Sequence, residues 1–202
     1  MTAPTATVTP GVTRPGTRRS YPTAWWGMAV VIMTEAMIFV ILLASYLFLR
    51  AASKQWPLGD IEVPDLKFAL PFSFVLWGSS IPIFWAEASI RNGHVGRMRV
   101  GVAISFVMGL SFFFFTLYDF NELHFGWRTN AYGSIYYTIV GLHAFHVFLG
   151  LGLSVMVSVK AWLGRYDRGR HASAEVFFLY WHFVDFVWLA VFPIVFLSPH
   201  IR

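Results

Sequence analysis

The chain has 202 residues, of which 57% are apolar, 19% aromatic and only 12% charged, a balance far from the soluble average and that of an integral membrane protein. It carries a formal net charge of +5 and no cysteine, which excludes disulfides, thiolate metal sites and S-palmitoyl anchors. The basic residues sit in short segments between apolar runs, a pattern that sets orientation in a membrane and implies no nucleic-acid partner.

Residues 1–22 are rich in Thr, Pro and Gly and contain no apolar stretch able to form the core of a signal peptide, so they read as a flexible, uncleaved tail. Residues 23–202 read as one membrane domain. Within it five windows, at 25–49, 68–90, 100–117, 133–162 and 175–197, are long enough to cross a core of roughly 30 Å at about 1.5 Å per residue. They lack the alternation of barrel strands, and backbone groups in lipid must be satisfied within the segment. The expected fold class is therefore all-α, an integral membrane bundle of five transmembrane helices. The tail and the second and fourth loops carry Arg14, Arg18, Arg19, Arg91, Arg97, Arg99, Lys160, Arg165, Arg168 and Arg170, against Arg50, Lys54, Lys67, Arg128 and Arg202 on the other side. Ten against five predicts a cytoplasmic N-terminus and an external C-terminus.

Ionisable residues inside these windows are the candidates for function, because each costs at least a few kcal/mol in hydrocarbon unless it is paired, faces protein or lines water. Glu35 lies roughly 15 Å into the first helix, near the midplane. His143 and His146 are three apart and share a face of the fourth helix. On the fifth helix Glu175 and His182 are seven apart and nearly eclipsed, with Asp185 one turn further on.

Three readings of these stripes are open from the residues alone. One is a metal or haem site, since imidazoles bind iron and copper and His143 or His146 could face His182; the paired Glu-x-x-His motifs of carboxylate di-iron bundles are absent. A second is proton transfer or transport, with Glu35 as the carboxyl that takes and releases a proton. The third, which leads on physics alone, is hydrogen bonding between helices that fixes packing.

Four ordered motifs resemble those of the cytochrome c oxidase subunit III family of the haem-copper terminal oxidases, and together they span nearly everything after the tail. "GMAVVIMTEAMIFVILLASYLFLR" is similar to the family's helix with a Ser/Thr-Glu pair, which sets the family's buried, carbodiimide-reactive carboxyl at Glu35. "SSIPIFWAEASIRNG" resembles its Ser-Ser and Trp-Ala segment through Ser79, Ser80, Trp85 and Ala86. "AYGSIYYTIVGLHAFHVFLGL" carries Gly133, Ser134, Gly141, His143, His146 and Val147. "HASAEVFFLYWHFVDFVWLAVF" carries His171 and Glu175, then the Tyr-Trp-His-Phe-Val-Asp signature from Tyr180 to Asp185, followed by Val187 and Trp188.

The resemblance implies an accessory, non-catalytic subunit of a proton-pumping oxidase that reduces oxygen to water, in a prokaryotic plasma membrane. The haems and copper would lie in partner subunits, with no cofactor, metal or catalytic residue in this chain. It implies subunit I as the main contact, subunit II in the same complex, structural phospholipids, support of proton uptake and turnover, and a respiratory supercomplex as a further assembly. Longer members have two more N-terminal helices enclosing a lipid-filled cleft; this chain starts where their third helix would, so its lipid site is expected to differ. Asp119 and Leu123 stand where the family often has Gln and Tyr, while Glu122 matches. Five-helix members accompany cytochrome c oxidases and quinol oxidases, and stand-alone homologues accompany nitric oxide reductases; Glu35 favours the cytochrome c type. Outside the family, the alternatives are a self-standing proton or metabolite transporter and a membrane cytochrome b.

Residue by residue, Glu35 is then the candidate functional carboxyl, with a neutral acid bonded to a neighbouring helix as the alternative. His143, His146, His182 and Asp185 are expected as interior polar groups. His171 and Glu175 could form a proton-collecting surface, and Glu87 is expected to reach the interface. Trp25, Trp26, Trp181 and Trp188 are expected as packing or interfacial anchors, with lipid or partner contact as the alternative.

Overall fold

The computed structural model describes residues 22–59, 61, 63, 65–167 and 169–200. The expected tail lies outside the described residues except for Pro22. The helices run α1 (Thr23–Ala52), α2 (Leu66–Gly78), α3 (Ser80–Arg91), α4 (Val95–Glu122), α5 (Ala131–Trp162) and α6 (Ala172–Phe192), the last continued by a π turn at Pro193–Leu197 and a 3₁₀ turn at Ser198–His200. Among the described residues they make five spans long and apolar enough to cross a membrane: Thr23–Ala52, Ala69–Arg91, Val95–Glu122, Ala131–Trp162 and Ala172–His200. The shortest has 23 residues and is about 35 Å long.

Three departures from the expected windows have local causes. The second span is broken at Ser79, between α2 and α3. Pro82 follows in the first turn of α3 and has no N–H to give the Gly78 carbonyl, so the helix restarts there. Pro193 does the same in the fifth span, where the π turn begins. The third span is longer than its apolar window because Arg97 and Arg99 continue the helix. Arg99 lies over the Trp162 ring at 4.8 Å and its Nη2 donates to the Ala161 carbonyl at 2.5 Å, so the charge ends on the last turn of α5.

The turns follow from their residues. Asp65 Oδ1 accepts from Lys67 N at the start of α2, and Asn130 Oδ1 from Gly133 N at the start of α5, each satisfying a free N-terminal amide. Gly93 and Gly164 end α3 and α5 at positive φ.

In the packed bundle α6 contacts α1, α2, α3 and α5, while α4 packs on α3, α5 and α2. With no hydrophobic drive between helices in lipid, close approach and hydrogen bonds hold such a bundle. Trp181 shows both. Its indole lies against Gly109 of α4 and Gly150 of α5, where a Cβ would come within 2.5 Å and 3.1 Å of the ring. Its Nε1 donates to Ser79 Oγ at the α2–α3 break, and Trp188 Nε1 donates to Ser73 Oγ of α2. Both rings are buried within the bundle.

Candidate functional site

Inside the spans, polar side chains meet across two helix seams, α1–α5 and α3–α6. At the α1–α5 seam, Glu35 Oε2 lies 3.2 Å from His146 Nε2. His146 Nδ1 lies 2.8 Å from the Leu142 carbonyl, and since a carbonyl only accepts, Nδ1 carries a hydrogen. The pair then shares one proton: either the carboxyl donates to a neutral imidazole, or an imidazolium donates to a carboxylate. Phe39 meets the His146 ring at 5.2 Å, and the Tyr180 hydroxyl donates to the His146 carbonyl at 3.2 Å. Glu35 is less enclosed than expected of a buried carboxyl: a third of its side chain is accessible, because α1 sits at the edge of the bundle.

His143, on the same helix, turns to a different neighbour. Its ring stacks on Trp188 at 4.6 Å, with Phe39 and Phe112 edge-on. It is buried, and neither ring nitrogen has a hydrogen-bond partner among the described residues. The two histidines share a face by spacing and both touch Phe39 of α1, yet the polar partner of His146 is Glu35 of α1, whereas His143 stacks on Trp188 of α6.

At the α3–α6 seam, Ser80 Oγ donates to Asp185 Oδ2 and lies 3.2 Å from His182 Nδ1. His182 stacks on Phe84 at 4.1 Å, and its Nε2 lies 4.0 Å from Glu87 Oε2. Glu87 in turn accepts from Arg91 Nη2 at 2.5 Å. The proposed face-to-face pairing of His182 with His143 or His146 therefore does not form. The three rings instead meet Phe84, Trp188 and Glu35, and among the described residues no three His, Asp or Glu side chains converge to hold a metal ion.

Glu175 does not act with His182 either, because its near-eclipsed position is two turns away. It pairs one turn back, with His171 Nε2 at 3.3 Å, and His171 Nδ1 lies 3.2 Å from the Asp167 carbonyl. Trp25 and Trp26 meet edge-to-face at 5.1 Å at the start of α1, with Trp26 exposed. Asp119 accepts from the Tyr136 hydroxyl at 3.4 Å and lines a cleft of about 770 Å³ with Glu122, Leu123 and His124.

Sequence reasoning missed the contacts that Glu87 and Ser80 make with His182 and Asp185. A signal was available: the two are seven apart, which sets them on one face of the second span.

These features match a known family. The family model for cytochrome c oxidase subunit III covers residues 19–198. The chain is 31% identical over 172 residues to cytochrome c oxidase subunit 3 of Thermostichus vulcanus, covering 85% of each chain. It is 33% identical over 175 residues to the subunit 3 of a Synechocystis species, covering 85% of this chain and 74% of that one. To the probable cytochrome c oxidase subunit 3 of Mycobacterium tuberculosis it is 31% identical over 174 residues, covering 84% and 85%. With five spans and a match over most of its length, the chain belongs to the cytochrome c oxidase subunit III family, as a multi-pass membrane subunit of a haem-copper oxidase complex.

Proposed function

We propose that the chain is the accessory, non-catalytic subunit of a proton-pumping terminal oxidase in a prokaryotic plasma membrane, with its N-terminus cytoplasmic and its C-terminus external. In this reading it binds subunit I and structural phospholipids, stands beside subunit II, and leaves haem, copper and oxygen chemistry to those partners. Its own contribution is to support proton uptake and sustained turnover.

The observation that carries the proton role is the Glu35–His146 contact at 3.2 Å. An intramembrane carboxyl paired with an imidazole is the arrangement expected of a proton-handling group, because the shared proton moves between Oε2 and Nε2 without unpairing either side chain. The partly accessible position of Glu35, at the rim of the bundle, leaves that proton reachable from outside the chain. Cytochrome c is the donor favoured, since the relatives are named cytochrome c oxidase subunit 3.

Gentle detergent purification through a tag on this chain tests the reading. Haem- and copper-bearing subunits should copurify in stoichiometric amounts with oxygen-reducing activity, and substrate choice then reports cytochrome c or quinol. A stable lone protein without haem would favour the transporter, and a lone protein with its own haem would favour a cytochrome b.

A further inference from the structure

The α3–α6 seam holds a polar chain that the Glu35–His146 pair does not use. Arg91 and Glu87 form an ion pair at the end of α3 that opens to the membrane edge; their side chains are 46% and 22% exposed. Ser80 lies eleven residues back along the same span, about 16 Å deeper and near the middle of a hydrocarbon core. Between them stands His182, with Nδ1 at 3.2 Å from Ser80 Oγ and Nε2 at 4.0 Å from Glu87 Oε2. Beyond Ser80 lies Asp185, buried and accepting from the Ser80 hydroxyl. Two atoms in this row, His182 Nε2 and Asp185 Oδ1, are buried without a hydrogen-bond partner among the described residues. Unlike the unmet nitrogens of His143, which face only aromatic rings, His182 Nε2 faces the Glu87 carboxyl and Asp185 Oδ1 belongs to a carboxyl already bonded to Ser80, so each open valence adjoins a group able to exchange a proton.

We propose that Glu87, His182, Ser80 and Asp185 form a relay that carries a proton from the membrane edge to a buried carboxyl, separate from the Glu35–His146 pair. The one break in the row is the 4.0 Å between Glu87 and His182, too long for a hydrogen bond and short enough to close by a side-chain rotation. The starting state has a hydrogen on His182 Nδ1, facing Ser80, and a bare Nε2, facing Glu87. Glu87, protonated from solvent, gives its proton to Nε2. The imidazole releases the Nδ1 proton to Ser80 Oγ, and the hydroxyl passes its own hydrogen to the Asp185 carboxylate. One proton leaves Glu87 and one arrives on Asp185; imidazole and hydroxyl end neutral, and Glu87 ends as a carboxylate beside Arg91. The reverse sequence returns the proton and resets the imidazole. The stacked Phe84 ring lies over one face of His182.

Other titratable groups that face α6 from its neighbours stay outside the row. From α5, His143 stacks on Trp188 and His146 meets Phe183; from α1, Glu35 bonds His146; at the start of α6 itself, Glu175 bonds His171. Ser73 of α2 and Ser79 at the α2–α3 break accept from the indoles of Trp188 and Trp181, and the Ser79 hydroxyl also faces the Asp185 carboxyl.

The test is infrared spectroscopy of the intact protein, purified with whatever subunits accompany it, after transfer to heavy water. Asp185→Asn should remove one carboxylic-acid C=O band, and Asp185→Glu, which keeps the carboxyl, should shift it. Glu87→Gln and Ser80→Ala should each slow deuterium exchange of that band by ~tenfold or more. Ser80→Thr, which retains the hydroxyl, should exchange as the unchanged protein does. Because the relay is a series, normal exchange in either slowed variant overturns the proposal, as does the absence of any protonated Asp185 band across the accessible pH range. Whether oxidase subunits accompany the chain is read separately from copurification, so failure of the relay and failure of the accessory-subunit reading are distinguishable.

Discussion

The first and last spans are of similar length, 30 and 29 residues, yet only 11% of the most apolar stretch of the first is buried within the chain, against 56% of the last. α6 is enclosed by neighbours and pinned by indoles that bond Ser73 and Ser79. Among the helical elements α1 packs mainly on α5, α6 and the π turn, and it leaves Met33, Met37, Ile41 and Phe48 facing outward. A span needs only apolar length to enter a membrane, so burial within the chain is a separate property. α6 therefore takes its position from this chain, whereas α1 is stable in lipid by composition and is held to the bundle by a few specific contacts, Glu35–His146 among them.

The largest effect should follow from removing the Trp181 side chain. Trp181→Ala empties the slot between Gly109 and Gly150 and strands Ser79 Oγ, which should lower stability by about 3 to 5 kcal/mol. The exposed Met37→Ala on α1 should change it by less than about 0.5 kcal/mol. Thermal unfolding of both variants in the same detergent checks the pair of values. Equal losses would mean that α1 is as firmly integrated as α6, and the comparison would fail.

Glu35→Gln sharpens the other half. The amide keeps the size of the side chain and a hydrogen bond to His146, so stability should fall by about 1 kcal/mol or less and the complex should still assemble. Proton uptake or the duration of sustained turnover should decrease, because the pair no longer shares a titratable carboxyl. Unchanged activity across pH and prolonged turnover would reduce Glu35 to a packing contact that holds α1 in place.

The five spans were legible because hydropathy over about 20 residues is a property of the segment itself. The family motifs were legible for the same reason, as local strings. What the sequence left open was which helix each polar residue meets. Helical spacing correctly sets His143 and His146 on one side of α5, but a 100° arc of one helix can touch two neighbours, and here it does. It also groups Glu175 with His182, although a pairing within hydrogen-bond reach was available to Glu175 one turn earlier, at His171. The breaks at Ser79 and Pro193 had visible causes in Pro82 and Pro193, but a span-length average smooths over single prolines. Glu87 was expected at the interface from its place near the end of the second span; only the position of α6 reveals His182 beside it.

The smallest effect is expected in the loop that leads into α6. Asp167 accepts from the amides of Gly169 and Arg170 and from Arg170 Nε, and the Arg170 guanidinium, with the Gly169 amide, holds its carboxyl below the usual carboxylate range. A carboxylate depressed on folding stabilises the loop above its unfolded value, near 4, and loses that contribution as pH falls through the lower folded value. Hydrogen-exchange protection of the Gly169 and Arg170 amides should therefore decline as pH falls below about 4. Asp167→Asn retains an acceptor oxygen and has no charge to lose, so its protection should be independent of pH over that range. Because α6 is fixed by packing within the bundle, neither acid nor this substitution should shift the unfolding temperature as Trp181→Ala does. A comparable shift would mean that the loop holds α6 in place, and the contrast between the first and last spans would have to be rebuilt on their connections.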